Sequence, residues 1–353
     1  MIYLDYQATT PLAPTALKAM LPWLEQGHAN PHSPHRAGRQ ARAAVEVARD
    51  QVAALLPAGG RVVFTSGATE ALNWAIKGAS GGIVTTAIEH AAILDTAQAT
   101  GRPLTVLPVN GEGLVEPQPV ADGTGLVAAM LVNNEVGTIQ PVAALADLAH
   151  RSGAWMLCDA VQGYGRIAIP ETVDLIAVSA HKIYGPKGIG ALWIRDGITL
   201  PPLLHGGDQE GGRSGTLSPA LCAGFGAAAR LMATQAERDA DHVERLWSLA
   251  VERLGPDWTI NGSTERRYHG NLNVRRDGLD VARLMSDCRD IAFSAGSACA
   301  SGSGRPSHVL TALGLTEREA KSSIRLGFGR YTSEVELTDA IDRINTAARA
   351  QGR

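Results

Sequence analysis

The sequence predicts an α/β protein: a large domain on a mostly parallel sheet covered by helices, followed by a smaller α+β C-terminal domain. Three observations carry this. Short apolar runs alternate with longer segments of helical spacing through the first two thirds of the chain. The pattern changes after Gly255-Pro256, a pair that stops a helix. A chain of 353 residues is long enough for one large core and a second, smaller one.

Taken in order, 61–64, 82–86, 104–108, 126–132, 155–158, 175–178 and 191–194 read as buried strands. Between or before them, 35–56, 90–100 and 142–151 have helical spacing and no internal proline. Strand and helix in alternation imply a parallel sheet with both faces covered. Residues 219–254 read as one long helix or two joined. Beyond Gly255 come short strands at 258–260, 271–275 and 323–327, a helix at 279–288 and a last helix from Glu334. Residues 294–307, rich in Gly, Ser and Ala, read as a mobile loop.

Hydrophobic residues at 45% and charged residues at 19% describe an ordinary folded chain rather than a disordered one. A net charge of -3 gives no electrostatic reason to expect nucleic acid as a ligand. The N-terminus lacks the basic-then-apolar order of a signal peptide, and no apolar run is long enough for a bilayer, so a cytoplasmic protein is expected. Four cysteines, at 158, 222, 288 and 299, stand apart without a CxxC pair, which points to reduced thiols rather than zinc or disulfides.

In an open parallel sheet, ligands gather where strands end and helices begin. Four polar motifs fall at such ends: Ser66–Glu70, Glu89-His90, Asn133–Glu135 and Asp159–Gln162. TSGATEALNWAIKG follows a strand and opens a helix, so its backbone N–H groups and Thr69 could hold a phosphate; a helix capped by Ser66 or Thr69 explains it equally. In SAHKIYGPKGIG, Lys182 stands beyond a strand end and could form a Schiff base with an aldehyde cofactor, with Lys187 as a competitor. Asp159 is a helix cap, a metal ligand, or the partner of a protonated pyridine nitrogen. Gln162 could reach a phenolate oxygen of the same ring. His90 is either an exposed helix-start residue or a ring stacked on a flat cofactor, acting as acid and base.

SGATE, EHAAILD, VNNEVGTIQP, DAVQ, SAHKIYGPKGIGAL, RSGT, SAGSACAS and SSIRLGFGR together resemble the cysteine desulfurases of the NifS/IscS type. These are class V, fold-type I pyridoxal-phosphate enzymes. The opening YLDYQATTP also looks like theirs, and the likeness runs from residue 3 to about residue 331. It implies a cofactor-binding domain at 14–255, and a small domain from 1–13 and 256–353 carrying the catalytic-cysteine loop.

The resemblance further implies roles. Lys182 carries pyridoxal phosphate and, once released, shuttles the α-proton. His90 stacks on the ring, Asp159 pairs with its nitrogen and Gln162 with its oxygen. Thr69, Ser179, His181 and the Ala68 backbone hold the phosphate, and Thr216 reaches the phosphate of a neighbouring subunit in a homodimer. Arg325 grips the substrate carboxylate, a task suited to a guanidinium fork, and Asn134 assists. Cys299 takes sulfur from L-cysteine as a persulfide, leaving L-alanine, and passes it to an iron–sulfur scaffold or sulfur-carrier protein. The other cysteines read as buried and inert.

Three departures from the family pattern stand out. Ala180 occupies a position where some members have glycine, and HGGDQEGGRSGT is one residue shorter than usual. Only one helix follows FGRYTSE, whereas relatives that dock an iron–sulfur scaffold do so through a longer C-terminal tail. Rival functions are a selenocysteine lyase, a kynureninase-like enzyme or an aminotransferase, all sharing Lys182 and Asp159. Cys299 in SAGSACAS argues against transamination. A non-catalytic scaffold predicts a missing lysine or loop cysteine, and both are present. A nicotinamide enzyme predicts a GxGxxG opening, and the first strand is not followed by one.

Overall fold

The computed structural model describes residues 1–207, 209–296 and 307–351. From the N-terminus it runs β1 (Ile2–Tyr3), α1 (Pro14–Glu25), α2 (Arg36–Ala53), β2 (Gly60–Thr65), α3 (Ala68–Gly78), β3 (Gly82–Thr86), α4 (Ala91–Ala99) and β4 (Leu104–Leu107). Next come β5 (Thr124–Met130), α5 (Val142–Arg151), β6 (Trp155–Asp159), β7 (Leu175–Ser179), β8 (Gly190–Arg195) and α6 (Pro219–Leu254). The remainder is β9 (Thr259–Ile260), β10 (Asn271–Arg275), α7 (Val281–Asp287), β11 (Ile291–Ala292), β12 (Ser294–Ala295), α8 (His308–Ala312), α9 (Glu317–Lys321), β13 (Ser323–Gly327) and α10 (Glu334–Ala350).

Among the described residues, seven strands form one sheet in the order β2-β8-β7-β6-β5-β3-β4. Successive side chains of a strand point to opposite faces, and the apolar runs supply a core to each. Val62, Phe64, Met156, Cys158, Ile176 and Trp193 enter one cluster with Val45, Ala48 and Val52 of α2, Leu145 of α5 and Phe225 of α6. Their neighbours Val63, Leu157, Leu175, Ala177, Leu192 and Ile194 enter another with Leu72, Trp74 and Ile76 of α3 and Ile93 of α4. This is why the strands read as continuous apolar runs rather than alternating ones.

The pairing is parallel except at β8, which is antiparallel to both β2 and β7. Residues 180–189 are too few for a crossover helix, so the chain returns directly after β7. That short return opens with a single 3-10 turn, Ala180–Lys182. Helix α6 is one continuous helix, with Phe225, Ala228 and Met232 in the first cluster and Leu246, Trp247, Ala250 and Leu254 in a third. It stops at Gly255, whose φ of 72° suits a residue without a Cβ.

The third cluster also takes Leu272 and Val274 of β10, Ile324 and Leu326 of β13, and Leu337 and Ile341 of α10. Its sheet runs β12-β13-β10-β9. Ser294 and Ala295, expected in a loop, instead pair with Arg325 and Ile324. Backbone bonds to the β13 edge are available to any residue there, and composition does not reveal them. Cys299 lies outside the described residues. Helix α1 has no counterpart among the expected elements. It starts with Pro14 in its first turn and carries Pro22 inside, which masks its spacing.

Candidate active site

The C-terminal ends of β2, β5, β6 and β7 open on a cavity of about 510 Å³, a size suited to a small organic cofactor. Ala68, Thr69, His90, Asn134, Asp159, Gln162, Ser179, His181, Lys182 and Arg325 all line it. The structure thus brings together every described residue assigned to the cofactor or substrate except Thr216. That residue is exposed and does not line the cavity of its own chain.

Each side of the cavity has its own local cause. No side chain caps α3, so the capped-helix alternative for Ser66 and Thr69 does not hold. Glu70 instead accepts from the Ser66 N–H at 2.7 Å and from Arg213 at 2.8 Å, which fixes the turn from outside. A Cβ placed on Gly67 would meet nothing within 4 Å, so open space lies over this helix N-terminus. Beneath it, a Cβ on Gly190 would fall 2.7 Å from the Gly67 carbonyl carbon; only glycine lets β8 start so close to the turn.

The 3-10 turn after β7 delivers Lys182 into the cavity. Its amine donates to the carbonyl oxygens of Gln7 and of Ala8, the latter at 2.9 Å. Arg166 donates to the Lys182 carbonyl. Tyr184, two residues on, is held at φ 68°, a strained value for a bulky residue, by the Thr10 hydroxyl accepting its N–H and by its own hydroxyl accepting from Arg330 N–H. Lys187 also lines the cavity but is exposed, whereas Lys182 is largely enclosed.

Burial pushes the Lys182 amine down to about 8; Arg325 adds to the fall, while Asp159 and Asp5 oppose it. The sign is clear. Between about 8 and the ordinary value near 10.5 the folded amine is neutral, while an unfolded or exposed lysine is still protonated. In cofactor-free protein, acylation of Lys182 followed by peptide mass spectrometry should therefore rise through pH 8. An inflection no lower than that of a surface lysine such as Lys77 would remove this assignment.

Burial, then the Lys182 and Lys187 charges, push His181 down to about 4, so its ring is neutral near pH 7. It lies 3.1 Å from the Thr9 hydroxyl. Asp159 ends β6 fully enclosed and accepts from the Val161 N–H at 3.0 Å; burial raises its carboxyl, against the pull of His90 and Lys182. It closes the turn after β6 and is a cavity-lining acid at once. His90 likewise serves twice: its Nδ1 accepts from the Ala92 N–H at 3.0 Å at the start of α4, and the ring lines the cavity. Gln162 donates to the Gln7 carbonyl at 3.0 Å.

Arg325 rises from the middle of β13 with its side chain 1% exposed. It meets Asp5 at 2.7 Å, Ser294 at 3.2 Å and the Asn134 carbonyl at 3.0 Å, and among the described residues its Nε has no hydrogen-bond partner. A buried cation with a spare donor suits an incoming carboxylate.

The family model for class-V aminotransferases matches residues 2–339. The cysteine desulfurase IscS of Rickettsia bellii is 40% identical over 97% of this chain and 90% of its own length. The chain belongs to the cysteine desulfurase family. The solved NifS-like protein of Rickettsia africae superposes with a TM-score of 0.91 at 30% identity, covering 98% of this chain and 99% of that one. A solved SspA in complex with cysteine gives 0.83 at 33% identity, covering 94% and 100%.

Members of the cysteine desulfurase family are pyridoxal-phosphate-dependent enzymes of fold-type I, and this chain is one of them. Its own residues fit that cofactor. The open α3 N-terminus with Thr69, Ser179 and a neutral His181 suits a phosphate, the enclosed Asp159 suits a ring nitrogen, and the low Lys182 amine suits an aldehyde.

The motif reading did not assign a role to the N-terminal strap. Gln7 and Ala8 line the cavity and hold Lys182 through backbone carbonyls, which leave no signature in residue type; only the likeness of YLDYQATTP pointed there. Conversely, Glu89, Asn133 and Glu135 sit in the polar motifs but do not line the cavity. Glu89 accepts from the Thr86 hydroxyl and Met130 N–H, and burial raises it to about 8. Asn133 ties Ile88, Glu135 and Val136 together, and Glu135 receives the Ser307 hydroxyl. Cys158, Cys222 and Cys288 are buried, and burial raises all three thiols.

Proposed function

We propose that the protein converts L-cysteine to L-alanine and moves the sulfur onto Cys299 as a persulfide, using pyridoxal phosphate held on Lys182. The convergence of Lys182, Asp159 and Arg325 on one enclosed cavity carries this reading. When bound, the cofactor supplies an aldehyde for amine condensation and an electron-poor ring that accepts the electron pair of the broken Cα–H bond.

The protein's part is positioning and proton traffic. Thr69, Ser179, His181 and the Ala68 backbone hold the phosphate, His90 stacks on the ring and Gln162 pairs with its oxygen. Asp159 keeps a proton at the ring nitrogen, where a carboxylate in a dry site acts strongly. Arg325 takes the substrate carboxylate through its spare N–H groups, with Asn134 beside it. Lys182, neutral above about pH 8, takes the α-proton, and the Gln7 and Ala8 carbonyls hold the resulting ammonium within reach.

The Cys299 thiolate then attacks the substrate sulfur. A sulfur–sulfur bond forms, the Cβ–S bond breaks, and its electron pair stays on carbon to be protonated, so the net products are L-alanine and a Cys299 persulfide. An iron–sulfur scaffold or sulfur-carrier protein is the acceptor, and the cytoplasm is the setting, where a thiol stays reduced. Among the described residues, no helix is long and apolar enough to cross a membrane. The working unit is a homodimer in which Thr216 reaches the other subunit's phosphate; its exposure outside its own cavity supports this. Sedimentation as a monomer would remove that part.

The test is holoenzyme with L-cysteine and a reductant, with alanine and sulfide quantified together. Equal amounts are expected. Cys299→Ala should keep the cofactor's colour and bind cysteine, yet form no persulfide. Undiminished sulfide release by that variant would take Cys299 out of the reaction.

A further inference from the structure

We propose that Asp5 is the positioning residue of the carboxylate grip, aiming the Arg325 guanidinium into the cavity by sharing one carboxylate oxygen between Arg325 and Ser294. The proposal rests on the reading that Arg325 receives the substrate carboxylate.

The geometry is a three-way contact. Asp5 Oδ1 accepts from Arg325 Nη2 at 2.7 Å and from the Ser294 hydroxyl at 2.9 Å, while Ser294 lies 3.2 Å from the same Nη2. Ser294 and Arg325 are cross-strand neighbours on β12 and β13, so the hydroxyl is placed by the sheet itself. Among the described residues, Asp5 is the one ion-pair partner of Arg325.

Asp5 is in turn held by backbone. Gly327 N–H donates to the Leu4 carbonyl at 2.7 Å, Leu4 N–H donates to the Ala292 carbonyl at 2.7 Å, and the Ala8 N–H donates to the Asp5 carbonyl at 3.0 Å. Its carboxylate therefore projects from a fixed frame, and changing that side chain leaves the frame's bonds in place. Asp5 and Ser294 engage Nη2 and Asn134 engages Nη1, and among the described residues Nε has no partner. An arginine locked in this way meets a second carboxylate with its rotamer already chosen, so less freedom is lost on binding. Asp5 also offsets the Arg325 charge felt by the Lys182 amine.

The test compares L-cysteine with cysteamine, which has the same amine and thiol but no carboxylate, on holoenzyme by change in visible absorbance and by steady-state turnover. Asp5→Ala should weaken L-cysteine roughly ten-fold, the loss of one charge-assisted contact, raising KM more than it lowers kcat and leaving cysteamine binding unchanged. Asp5→Asn, whose amide oxygen can still accept from Arg325 and Ser294, should recover most of the loss. Arg325→Lys is the reference. If it loses L-cysteine selectively and Asp5→Ala does not, the Asp5 proposal is overturned and the Arg325 reading stands. Equal weakening of both ligands by Asp5→Ala would also overturn it, as general damage. If Arg325→Lys treats both ligands alike, the Arg325 reading fails, and the role of Asp5 fails with it.

Discussion

A Lys182→Ala variant is expected to release neither alanine nor sulfide from L-cysteine, with turnover down about 10³-fold or more. Removal of a positioned proton carrier alone costs 10² to 10⁴, and here the covalent hold on the cofactor goes too. Among the described residues, the structure gives this lysine two properties that its neighbour Lys187 lacks: it is enclosed, and two backbone carbonyls fix its head. Burial brings the Lys182 amine to about 8. Lys182→Arg separates charge from proton transfer, because a guanidinium keeps its proton at any working pH. It should be as inactive as the alanine variant. Equimolar alanine and sulfide from either variant would move the role to Lys187, at the same cavity's mouth.

An Asp159→Asn variant should lose on the order of 10² to 10³ in kcat, the scale seen when one preorganised electrostatic partner is removed from a dry site. Asparagine can still accept from the Val161 N–H, so the turn after β6 should survive and the change isolates charge. Two readouts check it. Turnover should fall with the cofactor still bound, as judged by visible absorbance after gel filtration. The Lys182 labelling midpoint should also drop below that of the parent, because Asp159 is one of two carboxylates that hold the amine's proton on. Near-parental kcat would mean that the ring nitrogen's proton does not depend on this residue.

The outcome at particular residues shows what a motif can and cannot carry. His90, Asn134, Asp159, Gln162, Ser179, His181 and Lys182 stand at or beyond strand ends, and a parallel sheet gathers such ends at one edge. Seven residues from four β-ends therefore line one cavity. Glu89, Asn133 and Glu135, from the same motifs, turned inward: Glu89 and Asn133 bond to backbone, and Glu135 receives the Ser307 hydroxyl. Alternation along a loop does not have the fixed period of a strand, so sequence could not separate His90 from Glu89. Ser294 and Ala295 became a strand edge despite a composition typical of loops.

The sequence by itself determined the order along the chain of the seven strands of the large sheet, the break at Gly255 and the residue types at the sheet edge. Apolar period and helix stop signals are local, and local physics sets them. It also determined the family, through motifs spread along most of the chain. Only the tertiary structure decided that β8 runs against its neighbours, that Lys182 rather than Lys187 is enclosed, and that Asp5 meets Arg325 across 320 positions of chain. Those results depend on which surfaces pack together. A carbonyl holding an amine, or one carboxylate shared by two donors, exists only once distant segments have been brought within hydrogen-bond distance.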